Sequence, residues 1–242
     1  MERSSRIAGV IAAVGILVAC LFGNIDFHAF NLNYYESEYT KLHTAENIGM
    51  SNEALFEATD ALLSYIKGNR EDISCVQEVH GVEREVFDER ETAHMVDVRM
   101  LYQNARVVCF LLTGMGIAAF LFIFAVYKKK QISLDTALVS IKDGFRQVTL
   151  AFVIVVSFLV VYALIDFNRF WTVFHQIFFS NDLWLLDPRV SIMINMFPEE
   201  FFFGMVMRIV AGFVICYAAI ALLFYYGIQK HLKKSNLIEK DD

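Results

Sequence analysis

Gly116-Ile117-Ala118-Ala119-Phe120-Leu121-Phe122-Ile123-Phe124-Ala125-Val126-Tyr127-Lys128-Lys129-Lys130 decides the fold. No charge interrupts it before the three lysines, and the uncharged apolar run reaches back to Val107, just after Ala105-Arg106. A span of about 20 apolar residues crosses a hydrocarbon core, and lysines at its end favour the cytoplasmic face. Directly upstream stands Glu91-Thr92-Ala93-His94-Met95-Val96-Asp97-Val98-Arg99. On a helix running into the membrane, Glu91, His94 and Asp97 are three apart and share a face. This stripe reads either as a solvated charged face or as a site in which carboxylates orient an imidazole and favour its charged form.

Composition supports a membrane protein. Of 242 residues, 57% are hydrophobic and 20% charged, with 23 Phe; the mean hydropathy is +0.46. Soluble domains average about half apolar with about 25% charge. Of the four cysteines, Cys20, Cys109 and Cys216 lie in apolar runs and Cys75 stands apart. Without paired spacing, neither a disulfide framework nor a zinc site is expected.

We expect an all-α integral membrane protein with four transmembrane helices, both termini inside. Residues 1–30 form the first span, with Arg3 and Arg6 preceding its apolar stretch from Ile7. Leu17-Val18-Ala19-Cys20 resembles a lipobox, but Leu21-Phe22 extend the apolar run, so an uncleaved helix is the preferred reading. Residues 31–104 form an extracellular segment with 15 acidic and six basic residues. In it, Ser51 opens a helix that Gly68-Asn69 ends, residues 73–79 suit a strand or an extended connection, and Asp88 with Glu91 fits a capping box. Residues 105–127 are the second span, 128–147 a mildly amphipathic cytoplasmic loop and 148–165 the third span. Residues 166–203 form an outer segment holding both Trp and many Phe. Residues 170–179 and 183–186 read as interfacial or re-entrant, because amphipathic aromatic residues favour the headgroup level. Pro198-Glu199-Glu200 starts a helix that becomes the fourth span, residues 204–229; residues 230–242 are a cytoplasmic tail. Lys142, Arg146, Lys230, Lys233 and Lys234 join the inner cations, whereas residues 166–203 contain only Arg169 and Arg189. The acidic outer segment accounts for the net charge of -6 without a nucleic-acid partner.

Among six histidines, His231 sits beside inner lysines, His43 and His80 lie in the polar segment, and His28 is at a polar helix end. His94 and His175 remain. His175 lies in Phe174-His175-Gln176-Ile177-Phe178-Phe179, where desolvation keeps an imidazole neutral and suited to act as a base. The plain alternative is a His satisfied by a backbone carbonyl. No nucleophile elbow, H-E-x-x-H or phosphate loop occurs, so an enzyme of this sequence is expected to transfer a group without a covalent intermediate. No metal is assigned.

Three motifs carry a family resemblance: Glu91-x-x-His94-Met95-x-Asp97-Val98, Phe174-His175-x-x-Phe178-Phe179-x-Asn181-x-x-Trp184, and Met196-Phe197-Pro198-x-x-Phe201. With the four-span layout, the chain resembles the lipoprotein intramolecular transacylases of Gram-positive bacteria. The resemblance implies a multi-pass enzyme of the bacterial cell membrane, its site facing outside, acting on a diacylated lipoprotein among membrane lipids. It moves the sn-2 acyl chain of the S-diacylglyceryl cysteine to that cysteine's α-amino group. Ester aminolysis runs downhill, so no cofactor is needed. His94 and His175 are the implied acid–base pair, meeting within about 10 Å around one pocket. Asp97 and Glu91 support His94. Arg99, Arg169 and Asn181 are candidate oxyanion or substrate contacts. Phe174, Phe178, Phe179 and Trp184 shape the acyl-chain slots.

Other classes predict other behaviour. An accessory membrane protein would dock a partner on the acidic helix of residues 51–67, with both histidines dispensable. A transporter needs charges deep in its spans, which are lacking. A metal-dependent hydrolase built on His94, Asp97 and His175 would be chelator-sensitive.

Overall fold

The computed structural model describes residues 1–241, with side chains described through residue 232; the tail lysines Lys233 and Lys234 lie outside the described side chains. The chain order is α1 (Glu2–Ala29), α2 (Leu32–Leu42), α3 (Thr44–Ile48), α4 (Asn52–Lys67), β1 (Val76–Val79), β2 (Val82–Glu85), α5 (Glu89–Lys128), α6 (Leu134–Ile165), α7 (Phe167–Phe178), α8 (Ile192–Met196) and α9 (Glu199–Asp241). Among the described residues, four helices are long and apolar enough to cross a membrane: α1, α5, α6 and the Glu199–Leu232 part of α9. The chain is therefore a helical multi-pass membrane protein, and backbone contacts divide it into two compact units.

The first unit comprises residues 1–25, 107–160 and 209–242. Small residues bring its helices close, as lipid-embedded packing favours. A Cβ on Gly9 of α1 would lie 2.1 Å from the Ser140 carbonyl oxygen of α6, and one on Gly15 would lie 2.7 Å from Gly116 Cα of α5. Ala8, Ala12, Ala13, Ala119, Ile123, Ala137, Ile141 and Phe145 share one core. Here the structure corrects the sequence reading. Residues 134–147 are not a loop but the first turns of α6. Ala137, Ser140, Ile141, Gly144 and Phe145 recur at helical spacing and are buried, so the weak amphipathicity is a packing face. Ser133 caps this helix by accepting from the Thr136 N–H at 3.0 Å. At the other end of the chain, α9 runs through the residues expected to form a tail.

The second unit comprises residues 26–106 and 161–208. Asn31 caps α2 by accepting from Asn33 N–H, and α2 buries Tyr34, Tyr35 and Tyr39. Their rings cluster around Phe201, at 5.2, 5.1 and 5.8 Å between centroids. The Tyr34 hydroxyl donates to the Phe201 carbonyl at 2.9 Å, and the Tyr39 and Thr59 hydroxyls pair at 2.8 Å. The helix beginning at Ser51 forms as read: its hydroxyl accepts from Ala54 N–H, and Gly68 ends it at φ 86°. The extended stretch finds a partner that the sequence reading lacked. Val76–Val79 pairs antiparallel with Val82–Glu85 through His80-Gly81, both at positive φ. A two-residue hairpin turn of the primed type requires that geometry.

The start of α5 is a reciprocal capping box. Asp88 Oδ1 accepts from Glu91 N–H at 2.8 Å, and Glu91 Oε2 accepts from Asp88 N–H at 2.7 Å. Two orphan donors of the helix end are thereby satisfied. After α6, Asp166 caps α7 by accepting from Arg169 N–H. On α7, Phe167 and His175 are buried while Ile177 and Phe178 are exposed. Residues 183–184 form a turn and 185–186 are irregular.

Candidate active site

The first two turns of α5 carry a stripe that is buried rather than solvated. Glu91 is 1% exposed and His94 6%. Across from His94 lies His175 of α7, also buried. Their ring centroids are 5.9 Å apart with planes at 38°. Phe179 closes one side, its ring 5.2 Å from His94 and 5.6 Å from His175. Trp184 stacks on His175 at 4.9 Å, and Trp171 meets the same ring edge-on at 5.1 Å.

The hydrogen bonds fix one tautomer. His175 Nδ1 lies 2.8 Å from the Trp171 carbonyl, one helical turn earlier. A carbonyl only accepts, so Nδ1 carries the proton and the lone pair of the neutral ring is on Nε2. His94 Nδ1 is buried and has no hydrogen-bond partner among the described residues. A buried polar atom without a partner is destabilising unless something else satisfies it.

Burial sets the charge state of both rings. His94 is lowered from 6.5 to about 4, first by desolvation and then by His175; Asp97 pulls the other way and loses. The expectation that flanking carboxylates favour the charged imidazole is thus overturned, because desolvation outweighs one carboxylate that is already engaged. Desolvation also lowers His175, against a smaller upward pull from the bond to Trp171. Both rings are neutral at pH 7.

The carboxylates do a different job from the one expected. Glu91 does not hold His94. Its Oε1 accepts from the Ser191 hydroxyl at 2.5 Å and from Met193 N–H at 2.8 Å. Asp97 Oδ2 accepts from Asn181 Nδ2 at 2.8 Å, and Arg90 binds the carbonyl and carboxylate of Asp182. Three side chains of the first turns of α5, Arg90, Glu91 and Asp97, therefore fasten the segment 179–193, which brings Phe179 and Trp184 against the imidazoles. Ser191 in turn caps α8 by accepting from Ile194 N–H.

The remaining predicted residues are distributed unevenly. Phe174 stacks on Trp171 at 5.2 Å and meets the His175 ring edge-on at 5.5 Å, and the exposed Phe178 packs on Phe174 at 4.8 Å, one layer further out. Arg99 is committed elsewhere: it donates to the Arg70 and Glu71 carbonyls and lies over the Tyr65 ring at 4.5 Å. Arg169 is exposed on the first turn of α7. Sequence reasoning missed Trp171 and Ser191. The i−4 spacing of Trp171 to His175 was the available signal for the first. Nothing in the sequence points from Glu91 to a serine 100 residues away.

The sequence profile of the family described as lipoprotein intramolecular transacylase Lit matches residues 10–202. No curated protein matches significantly. Among solved structures, the chain is similar to the membrane-integral lipoprotein intramolecular transacylase Lit from Bacillus cereus, with a TM-score of 0.76 at 18% identity, covering 97% of this chain and 100% of that one. Variants of that protein with one histidine replaced by Ala or by Arg give TM-scores of 0.68 and 0.70, each covering 96% of this chain and, respectively, 96% and 94% of theirs. The chain belongs to the lipoprotein intramolecular transacylase family of integral membrane acyltransferases.

Proposed function

We propose that His94 and His175 perform an O-to-N acyl shift on a lipoprotein whose N-terminal cysteine bears an S-diacylglyceryl group. The observation that supports this most is the pair of neutral, buried imidazoles 5.9 Å apart, one with a defined free Nε2 and one with an unpartnered Nδ1. At this separation the nitrogen and oxygen attached to one reacting carbon can each come within hydrogen-bond reach of one of the two rings.

The step proceeds as follows. The cysteine α-amine, with an ordinary pKa of about 7.7–8.0, attacks the sn-2 ester carbonyl as the free base. The N–C bond forms and His175 Nε2 takes the ammonium proton of the adduct. The C–O bond to glycerol then breaks, and the imidazolium returns the proton to the departing oxygen. His94 lies on the other side of the intermediate. Its neutral ring hydrogen-bonds the developing oxygen charge, an interaction of the type that contributes about 3–4 kcal/mol when a site is dry. Nucleophile and ester belong to one molecule, so orientation alone supplies part of the rate. Phe179 and Trp184 exclude water, and Phe174 at the edge of His175, with Phe178 beyond it, receives the acyl chain. Asp97, Asn181 and Glu91 position these walls rather than touch the reacting atoms.

The site faces the outside of a bacterial cell membrane in this reading, with both termini inside. The distribution of Lys128, Lys129, Lys130, Lys142, Arg146 and Lys230 supports that orientation. Intact mass spectrometry of a lipoprotein N-terminus, from cells with and without the protein, tests the reaction. Transfer leaves the total acyl count unchanged and moves one chain to nitrogen, visible as an N-acyl fragment ion. An unchanged diacylglyceryl form with a free amine in both cultures contradicts it.

A further inference from the structure

A cavity lies far along the chain from the histidines, entirely within the first unit. It is a groove of about 660 Å³ between α6 and α9, inside the roughly 300–1,000 Å³ range of small-molecule sites. Its α6 wall runs from Lys142 to Ser157 and its α9 wall from Val214 to Ile228. Fifteen residues of helical rise make about 22 Å, longer than the roughly 15 Å of one leaflet's half of the hydrocarbon core.

The groove is asymmetric. Leu150, Val153, Val214 and Leu222 on its walls are exposed apolar side chains. The Thr149 and Tyr217 hydroxyls pair with each other at 3.0 Å, which leaves a single free hydroxyl proton between them. The charges gather at one end. Arg146 is exposed and 3.7 Å from Asp143, and half-buried Lys142 has no carboxylate partner among the described residues. Two cations against one carboxylate leave one positive charge at the mouth, where the Phe145 and Phe224 rings stack at 5.2 Å. A long apolar slot ending in one uncompensated positive charge matches one amphiphile: an acyl chain ending in a singly negative phosphodiester.

We propose that this groove retains an anionic glycerophospholipid of the surrounding bilayer, its acyl chain along α6 and α9 and its phosphate at Lys142 and Arg146. The site is separate from the transacylation site and binds lipid without reacting with it. A zwitterionic lipid fits the slot but brings a second cation to the mouth, so selectivity resides in the headgroup.

The full chain, purified from nanodiscs of equal phosphatidylglycerol and phosphatidylcholine, tests this by native mass spectrometry of retained lipid. One net surface charge implies a preference of about fivefold for phosphatidylglycerol. The double variant Lys142→Gln/Arg146→Gln should bring the two lipids to parity. Ala218→Phe, which fills the slot, should lower retention of both. Acyl transfer by each variant reports that the fold is intact. Equal retention of the two lipids by the unaltered chain overturns the proposal. So does a preference that survives the double variant, or a second copy of the chain bound with no lipid retained.

Discussion

Replacing Glu91 tests how the site is held together. Its side chain is 1% exposed and accepts from three donors: the Asp88 N–H at 2.7 Å, the Ser191 hydroxyl at 2.5 Å and the Met193 N–H at 2.8 Å. Glu91→Ala strands all three. The hydroxyl can rotate to another acceptor, but the two N–H groups cannot move without their helices. At about 1–3 kcal/mol for each of the two stranded N–H groups, the loss is about 2–6 kcal/mol. Glu91→Gln keeps the volume and the Oε1 acceptor but turns an amide donor towards the Asp88 N–H, which predicts about 1–3 kcal/mol. Ser191→Ala removes one donor and leaves the carboxylate its other two, about 1–2 kcal/mol. Equilibrium unfolding in detergent, followed by Trp171 and Trp184 fluorescence, gives each value. A cycle of Glu91→Gln and Ser191→Ala should show coupling of at least about 0.5 kcal/mol. Transfer activity should fall with stability in the order Ala, Gln, unaltered, because the segment 179–193 loses its anchor. If Glu91→Ala unfolds with the unaltered chain and keeps full activity, the network does not position the site.

Four further outcomes follow from the geometry. Between pH 6.5 and about 4 the unfolded chain binds a proton that folded His94 rejects, so stability falls by about 3 kcal/mol as pH drops through that window and is flat above it; denaturant unfolding at pH 4, 5.5 and 7.5 measures it. Activity on the acid side should follow the substrate amine, tenfold per pH unit below about 7.7, with no separate break near 6.5 in a pH–rate profile. Arg99→Ala should leave acyl transfer near the unaltered rate while destabilising by about 1–2 kcal/mol, since it loses two carbonyl bonds and the Tyr65 ring; a large rate loss at full stability would return Arg99 to the reacting centre. Gly9→Ala places a methyl group 2.1 Å from the Ser140 carbonyl and should lower folded yield in detergent, by at least the 1–3 kcal/mol of an overpacked contact, as judged by size-exclusion recovery.

The parts of the chain legible in the sequence are those decided locally. Unbroken apolar length marks four spans. Ser51 with Gly68 and Asp88 with Glu91 bracket helices by chemistry confined to one turn. His94 and His175 stand out because few other histidines lie in apolar surroundings beside a span. What was lost depends on partners distant in the chain. A charged strand such as Val82–Glu85, exposed along its length, has no period-two burial to betray it. The start of α6 looked like a loop because its weak apolar stripe packs on glycine and alanine, which leave little hydrophobic signal. Glu91 shares a helix face with His94, yet its oxygens turn to Ser191 and Met193. Sequence spacing gives the face of a helix but not the direction of a flexible carboxylate along it.

The central claim is that two imidazoles act on one reacting carbon, and a set of three variants tests it most directly. Rates of N-acyl product formation, measured by mass spectrometry for His94→Ala, His175→Ala and the double variant in one membrane preparation, give the answer. Groups that work as a unit are not additive. The account predicts a loss of at least about 10²-fold for each single variant and a double variant no slower than the worse single one. A single variant that keeps the unaltered rate, or a double loss equal to the product of two independent losses, contradicts it.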